Sequence, residues 1–471
     1  MSREGPNGKE SETTMPLEGA GPQMSGEPEP RPEGRGEAPR ERPGEGASTA
    51  GQGDERSGTG RLMERVILIP NLQAALRRVE ENRGSPGSDG MKWNELRPWL
   101  RVHWKELCEQ LLSGTYQPTV VRRVEIEKRG GGLRMLGIPS VLDRFVQQAC
   151  LQVLQPIFDP TFSEHSFGFR PGRRAQDAVR EAQGYVQGGC HWVVDVDLEK
   201  FFDRVNHDVL MGRLSKRIGD KRLLWLIRRY LEAGMMADGV VIERHEGTPQ
   251  GGPLSPLLAN VLLDEVDKEL ERTGHRFVRY ADDCNVYVQS RKAGERVMAR
   301  LTKLFGKLRL KINAAKSAVA PVWERQFLGL AFWVGPGKQV KRRVAKKALQ
   351  AMKTKVKEIT DRNGGRSLLR VVEELKRYLT GWHAYFRQAD TPGIFEDLDK
   401  WIRHRLRSLQ LKQWKRGTTT YRELVARGTP VDLAAKIAAN TRRWWHNSAI
   451  GLNVALPNRY FAQLGVPRLR P

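Results

Sequence analysis

The chain has 471 residues, 39% of them hydrophobic, enough for a sizeable core and, by length, about three domains. Its 80 Lys+Arg against 55 Asp+Glu leave a formal charge of +25, which points to a polyanionic partner, either nucleic acid or an anionic membrane. No apolar run is long enough to span a bilayer and no signal peptide opens the chain, so no membrane partner is expected. Its four cysteines (Cys108, Cys150, Cys190 and Cys284) form no C-x-x-C pair, which argues against structural zinc and fits a reduced, cytoplasmic location.

Residues 1–60 are dense in Gly, Pro, Glu and Arg and nearly empty of apolar side chains. Nothing there would offset the entropy of ordering, so a disordered tail is expected. That tail is net acidic, which locates the basic surplus in the remainder. Order is expected from near Ile67. Asn71–Asn82 has helical spacing (Leu72, Ala75, Leu76, Val79) and stops at the breaker cluster Gly84-Ser85-Pro86-Gly87. Val120–Ile126 and Leu133–Ile138 read as two strands joined by a turn at Gly130-Gly131-Gly132. Leu142–Leu154 reads as helix. His191–Val196 is a short, nearly continuous apolar strand, of the kind buried on both faces. Leu223–Leu231 and Pro256–Leu270 are helical, Arg276–Tyr280 and Asn285–Val288 are strands around a tight turn, and helices dominate after residue 340.

Carboxylates gather beside two of these apolar strands. One group ends Val193-Val194-Asp195-Val196-Asp197; the other is the Asp282-Asp283 pair at the hairpin tip. Unpaired acids close to a core are costly unless a cation joins them. Magnesium suits hard oxygen ligands near phosphate, and two such ions would stabilise both the attacking and the leaving oxygen of an in-line phosphoryl transfer. Taken alone, Asp-Asp in a turn has ordinary turn chemistry as its alternative; the strand acids shift the balance.

Asp197-Leu198-Glu199-Lys200-Phe201-Phe202-Asp203, Gly247-Thr248-Pro249-Gln250-Gly251-Gly252-Pro253-Leu254-Ser255-Pro256 and Tyr280-Ala281-Asp282-Asp283 follow in that order. They resemble the palm of reverse transcriptases: the first catalytic Asp, the Pro-Gln-Gly loop and the Tyr-X-Asp-Asp box. Phe327-Leu328-Gly329 resembles the family's primer-grip hairpin, and Leu133–Pro139 its fingers motif. His165-Ser166-Phe167-Gly168-Phe169-Arg170-Pro171-Gly172 is similar to a segment of the group II intron-encoded and related bacterial enzymes. The resemblance implies an α+β, right-hand polymerase fold (fingers and palm), followed by a helical thumb and maturase domain. It implies an RNA-directed DNA polymerase with Asp197, Asp282 and Asp283 as catalytic residues holding two Mg2+ ions. Asp195 is the alternative to Asp197. Asp197 is preferred because Phe202 then falls where the family sets an aromatic against a ribose 2′-OH; core packing is the alternative for Phe202. Lys128 and Arg134 would clamp the triphosphate, Gln250 would hydrogen-bond the incoming nucleotide, and Lys316 would stabilise or protonate the pyrophosphate. Gly251 and Gly252 admit close backbone approach, with Ser255 and Pro256 as the N-cap and first position of the following helix.

From Leu368 the residues Leu368, Val372, Leu375, Leu379 and Trp382 keep helical spacing. Thr380–Arg387 and Leu398–Arg407 resemble the maturase-specific domain of group II intron proteins. Trp382, Phe386 and Trp401 read as core, and the arginines as RNA contacts: Arg403 and Arg405, with Arg442 and Arg443 in a second basic-aromatic patch. With the chain ending at Pro471, no fused endonuclease is expected. The expected layout is a Gly/Pro/Glu-rich tail (1–60), an N-terminal extension and start of the fingers (61–120), and fingers and palm (121–335). A thumb with the maturase-specific domain (336–430) and a basic C-terminal segment (431–471) follow. The implied function is intron mobility by target-primed reverse transcription, together with splicing assistance. The implied partners are a group II intron RNA, a DNA target or primer and dNTPs, with a homodimer left open. One rival is a pure RNA-binding splicing factor with a decayed polymerase, which intact Asp197, Asp282 and Asp283 oppose. Another is a defence or retron reverse transcriptase, which lacks segments like Gly381-Trp382 and Trp401-Ile402-Arg403.

Overall fold

The computed structural model describes residues 59–127, 133–237, 240–242, 246–248, 251–450 and 452–470. Nearly all of the expected tail, Lys128, the Gly130–Gly132 turn and Gln250 lie outside the described residues, as does the side chain of Arg134. The chain forms two compact units, each gathered from three stretches. Of the described residues, the first takes those within 59–162, 199–265 and 306–310, and the second those within 163–198, 266–305 and 311–470.

In the first unit, helix Ile69–Asn82 buries Leu72, Ala75, Leu76 and Val79, the face its spacing announced. Helix Val141–Phe158 is capped by Ser140, whose Oγ accepts from Asp143 N at 3.0 Å. Asp143 is itself buried, accepting from Tyr116 OH (2.8 Å) and Thr119 N (3.0 Å). The expected strand pair is present as Val121–Glu127 and Leu133–Ile138, antiparallel from Arg122↔Ile138 to Glu127↔Leu133. Val121 and Arg122 also pair in parallel with Met235 and Met236, a short strand that composition did not announce. Helix Ser255–Arg272 opens at Ser255, one position before the expected start, and the Ser255 hydroxyl accepts from Thr248 Oγ1 at 3.0 Å.

The second unit is built on a four-stranded antiparallel sheet in the order Arg276–Tyr280, Asp283–Val288, Trp192–Val196, Ala318–Pro321. The central strand Trp192–Val196 is flanked on both sides and buries Val193, Val194 and Val196, as its continuous apolar run required. Helix Arg291–Lys307 buries Val297, Leu301, Leu304 and Phe305 and lies against this sheet at Gly294. Gly294 brings it close: a Cβ there would come within 2.5 Å of Val319 Cγ1. After a two-stranded hairpin (Leu330–Val334 with Val340–Val344) the chain becomes helical, in Lys346–Ile359, Leu368–Phe386 and Pro392–Trp414. One hydrophobic core joins sheet and helices: Val193, Val278 and Tyr287 share it with Leu375, Ile402 and Phe461. Phe386 is buried in it and Trp382 and Trp401 pack against it, as expected of core aromatics. Among the described residues no helix is long and apolar enough to cross a membrane, and the four cysteines are free.

The fold corrects one expectation and narrows another. Arg403 is 3% exposed, ion-paired to Asp399 at 2.8 Å, so burial removes it from the reach of a phosphate. Asp399 also accepts from the backbone N–H of Leu469 and Arg470, which makes the pair a clasp for the C-terminal segment. Arg405 is half-buried, donating through Nε to Thr360 Oγ1 (2.6 Å) and lying 5.6 Å from the Trp401 ring centre. Arg442 and Arg443 are exposed. Beside them Trp445 is exposed and stacks on His404 at 3.7 Å, while Arg362 and Lys412 stand over the Trp444 ring.

Candidate active site

The acids meet because of strand register. Asp195 lies opposite Asn285, and Val196 opposite Cys284. Side chains alternate along a strand, so Asp195 and Asp197 share one sheet face with Asn285 and Asp283. One step past the last pair brings Asp197 level with Asp283. Tyr280 pairs with Asp283, which leaves Ala281 and Asp282 as a two-residue turn, with Ala281 at φ 59°.

Asp195, Asp197 and Asp283 line a cleft of about 770 Å³ within the second unit. Its other walls include Lys316, Trp323, Arg325, Arg343, Lys346 and Lys347. Acids and cations lining one cleft are the charge pattern that receives a phosphate with bound metal.

Each acid has a distinct environment. Asp195 is held by Arg325, with Nε at 2.8 Å and Nη2 at 2.6 Å from Oδ2. Desolvation still raises its pKa, the guanidinium opposing and Asp197 adding to the rise. Asp197 is fixed by its backbone: its N–H donates to Ser317 Oγ (2.9 Å) and its carbonyl accepts from Asn313 N (2.9 Å). Lys316 Nζ stands 3.1 Å from Asp197 Oδ2, yet too obliquely for a hydrogen bond, so that buried oxygen is left without a hydrogen-bond donor. The Asp283 carboxyl opens to solvent on the cleft side but is crowded by protein elsewhere. It is pushed up to about 7, by desolvation first and then by the charges of Asp282, Asp197 and Asp195.

These features fit a divalent cation. Clustered carboxylates that repel one another, one with an unsatisfied buried oxygen, gain from a shared positive charge. Among the described residues no three acidic, imidazole or thiol groups stand as a ready-made cage. Magnesium does not need one, since it keeps several waters and takes one or two carboxylates beside substrate phosphates.

Of the residues singled out from sequence, the structure brings Asp197, Asp283 and Lys316 to one cleft, with Asp282 on the adjoining turn. Phe202 lies in the first unit, 8% exposed and edge-on to Phe201 at 5.0 Å. Sequence reading missed Arg325, whose partner lies 130 residues away. It also missed Arg279 and Asp267, a fully buried ion pair behind the Ala281–Asp282 turn. No local pattern distinguishes either arginine from a surface charge.

Residues 126–332 match the family model described as reverse transcriptase (RNA-dependent DNA polymerase), and residues 349–428 match the group II intron maturase-specific domain. The chain is 33% identical over 302 residues to protein YkfC of Escherichia coli (strain K12), covering 55% of this chain and 79% of that protein. It is 35% identical over 252 residues to the group II intron-encoded protein LtrA of Lactococcus lactis subsp. cremoris, covering 53% of this chain and 42% of LtrA. It therefore spans under half the length of LtrA. Among solved structures, a chain of a partial Cas6-RT-Cas1–Cas2 complex is similar at 29% identity and a TM-score of 0.35, over 52% of this chain and 42% of that one. On the two family models and the likeness to YkfC and LtrA, the chain belongs to the group II intron-encoded reverse transcriptase/maturase family, RNA-directed DNA polymerases with a right-hand fold and a maturase-specific domain.

Proposed function

We propose that this protein copies a group II intron RNA into DNA during intron mobility, priming from a DNA target, and that it also binds that RNA to assist splicing. The observation that carries the polymerase reading is the cleft that Asp197 and Asp283 line together with Lys316, Arg343, Lys346 and Lys347, with Asp282 on the adjoining turn. Asp197, Asp282 and Asp283 are the catalytic residues in this reading and would hold two Mg2+ ions. Bound there, the ions would stabilise the attacking and leaving oxygens of phosphoryl transfer. The chain supplies the rest. Lys316 brings a positive charge beside Asp197, suited to receive or protonate the departing pyrophosphate. Arg343, Lys346 and Lys347 offer phosphate contacts along the cleft edge. Lys128, Arg134, Phe202 and Gln250 are assigned to the incoming nucleotide on the motif resemblance alone. For RNA, Arg442 and Arg443 are retained, Arg405 in a supporting part, and Arg403 is dropped.

Primer extension on an RNA template with dNTPs tests the reading. The wild type is expected to make cDNA, and Asp282→Asn to lose synthesis at saturating magnesium while keeping RNA affinity, because the carboxylates serve the transition state and not the template. Wild-type rates from the Asn variant would remove Asp282 from the site.

A further inference from the structure

The two-residue turn that carries Asp282 has an unfavourable backbone. Ala281 sits at φ 59°, in the left-handed region where glycine is the usual occupant of such a turn. An Ala held there needs outside constraint. Arg279 supplies it. This residue is 1% exposed and its guanidinium faces two ways. Nε lies 2.8 and 3.0 Å from the two carboxylate oxygens of Asp267, which is 0% exposed, and Nη2 lies 2.5 Å from Oδ2. Nη1 of the same group donates to the carbonyl of Ala281 at 2.9 Å. The backbone of Arg279 is pinned as well: its N–H donates to His165 O, and its carbonyl accepts from Phe167 N, both at 2.9 Å. The residue after Phe167, Gly168, lies against the turn so closely that a Cβ would come within 2.1 Å of Ala281 N.

We infer that Arg279 is a positioning residue which, with Asp267 behind it and Gly168 beside it, fixes the Ala281 peptide and so aims the Asp282 and Asp283 carboxylates. A buried ion pair is a poor device for stability alone, since apolar residues of similar volume commonly serve as well. Here the fork has a third contact that only a guanidinium supplies. Lysine would keep the charge facing Asp267 but has no second arm for Ala281. The inference rests on the proposed function, in which these carboxylates hold the catalytic ions.

The test uses the full chain as Arg279→Lys and Gly168→Ala, with Asp282→Asn alongside. Three quantities are measured: cooperative melting, kcat and KM for dNTP on primed RNA, and Mn2+ binding by the protein alone from its paramagnetic resonance signal. Arg279→Lys is expected to melt cooperatively above the assay temperature. Its kcat should fall at least about tenfold with KM nearly unchanged, and its Mn2+ affinity at least about fivefold. Gly168→Ala should shift the same two quantities, and it becomes the deciding variant if Arg279→Lys does not fold. Wild-type kcat and Mn2+ affinity in a folded Arg279→Lys protein overturn the inference, as does a kcat loss that only follows the unfolded fraction. If Asp282→Asn keeps both quantities, the ion site itself is misassigned. If it loses them while Arg279→Lys keeps them, only the brace fails.

Discussion

Arg325 closes on Asp195, Nε to Oδ2 at 2.8 Å, and its Nη2 also reaches the carbonyl of Lys316 at 2.5 Å. One side chain thus occupies the first acid of the central strand and steadies the lysine beside the second. Asp195 is held by a hydrogen-bonded guanidinium, whereas Asp197 faces only the exposed Lys316 ammonium at 3.1 Å, a partner that a metal ion would displace. Asp197→Asn is therefore expected to abolish cDNA synthesis. Asp195→Asn should cost stability, about 1–2 kcal/mol for a half-buried pair, and reduce synthesis less than tenfold. Primer extension beside thermal melting checks both. Equal loss from the two substitutions would leave Asp195 and Asp197 as equal candidates for the metal.

Phe202 tests sugar discrimination. It is 8% exposed and packed on Phe201, so Phe202→Ala should lower stability by about 2–4 kcal/mol as well as open space for a 2′-OH. The informative measurement is the ratio of ribonucleotide to deoxynucleotide incorporation in one preparation, in which the active fraction cancels. That ratio is expected to rise. If it stays at the wild-type value while the protein is less stable, Phe202 is core and nothing more.

His165 links the bracing loop to pH. Its Nδ1 is hydrogen-bonded to Glu181, which also accepts from Tyr185 OH at 2.5 Å. The hydrogen bond to Glu181 is the main cause raising the His165 pKa, with burial opposing. A raised folded-state value means that the protonated ring stabilises the fold. That contribution is whole below the unfolded pKa of about 6.5 and is lost as pH rises through the higher folded value. Wild type should thus melt above Glu181→Gln at pH 6, with the gap narrowing by pH 9. A gap that widens with pH would reverse the sign and refute the linkage.

Arg403 and the Arg442–Arg443 pair should part company. Replacing Arg442 and Arg443 by Gln is expected to weaken binding of intron RNA and to flatten its salt dependence, by about 0.7 in log–log slope per contact on single strands, with melting unchanged. Arg403→Gln leaves the half-buried Asp399 without its ion pair, still bonded to the N–H groups of Leu469 and Arg470, and should destabilise by about 1–3 kcal/mol. Filter-binding salt titrations and melts on the same samples separate the cases. An Arg403→Gln protein of normal stability with a specific RNA defect would restore that residue as a contact.

Much of the sheet was legible because its chemistry is local. A nearly continuous apolar run ending in acids marks the central strand, and Tyr280-Ala281-Asp282-Asp283 carries its own turn. Other elements lack such signals. Ala318–Pro321 is half-buried throughout, so neither alternation nor an apolar run marks it. Val340–Val344 carries Lys341-Arg342-Arg343 between its valines, so no apolar run marks it as a strand, and it is one only because Leu330–Val334 pairs with it. Arg403 was misread for a related reason. Asp399 stands four residues before it, a spacing that suggests a pair, but spacing does not tell a surface pair from a buried one. Arg325 was missed because its meaning lies in a contact across distant chain.

The interleaving of the two units has a consequence for biosynthesis. The first cannot be completed until residues 306–310 have left the ribosome, and the second waits for the last helices, since Phe461 and Leu469 belong to the same core as Val193. The acids of the central strand therefore emerge early and wait, near an unfinished core, for more than half of the chain to follow. A nascent or prematurely terminated product ending near residue 340 would expose that core without its helical cover, so a freely excised polymerase fragment is a candidate for aggregation rather than for activity.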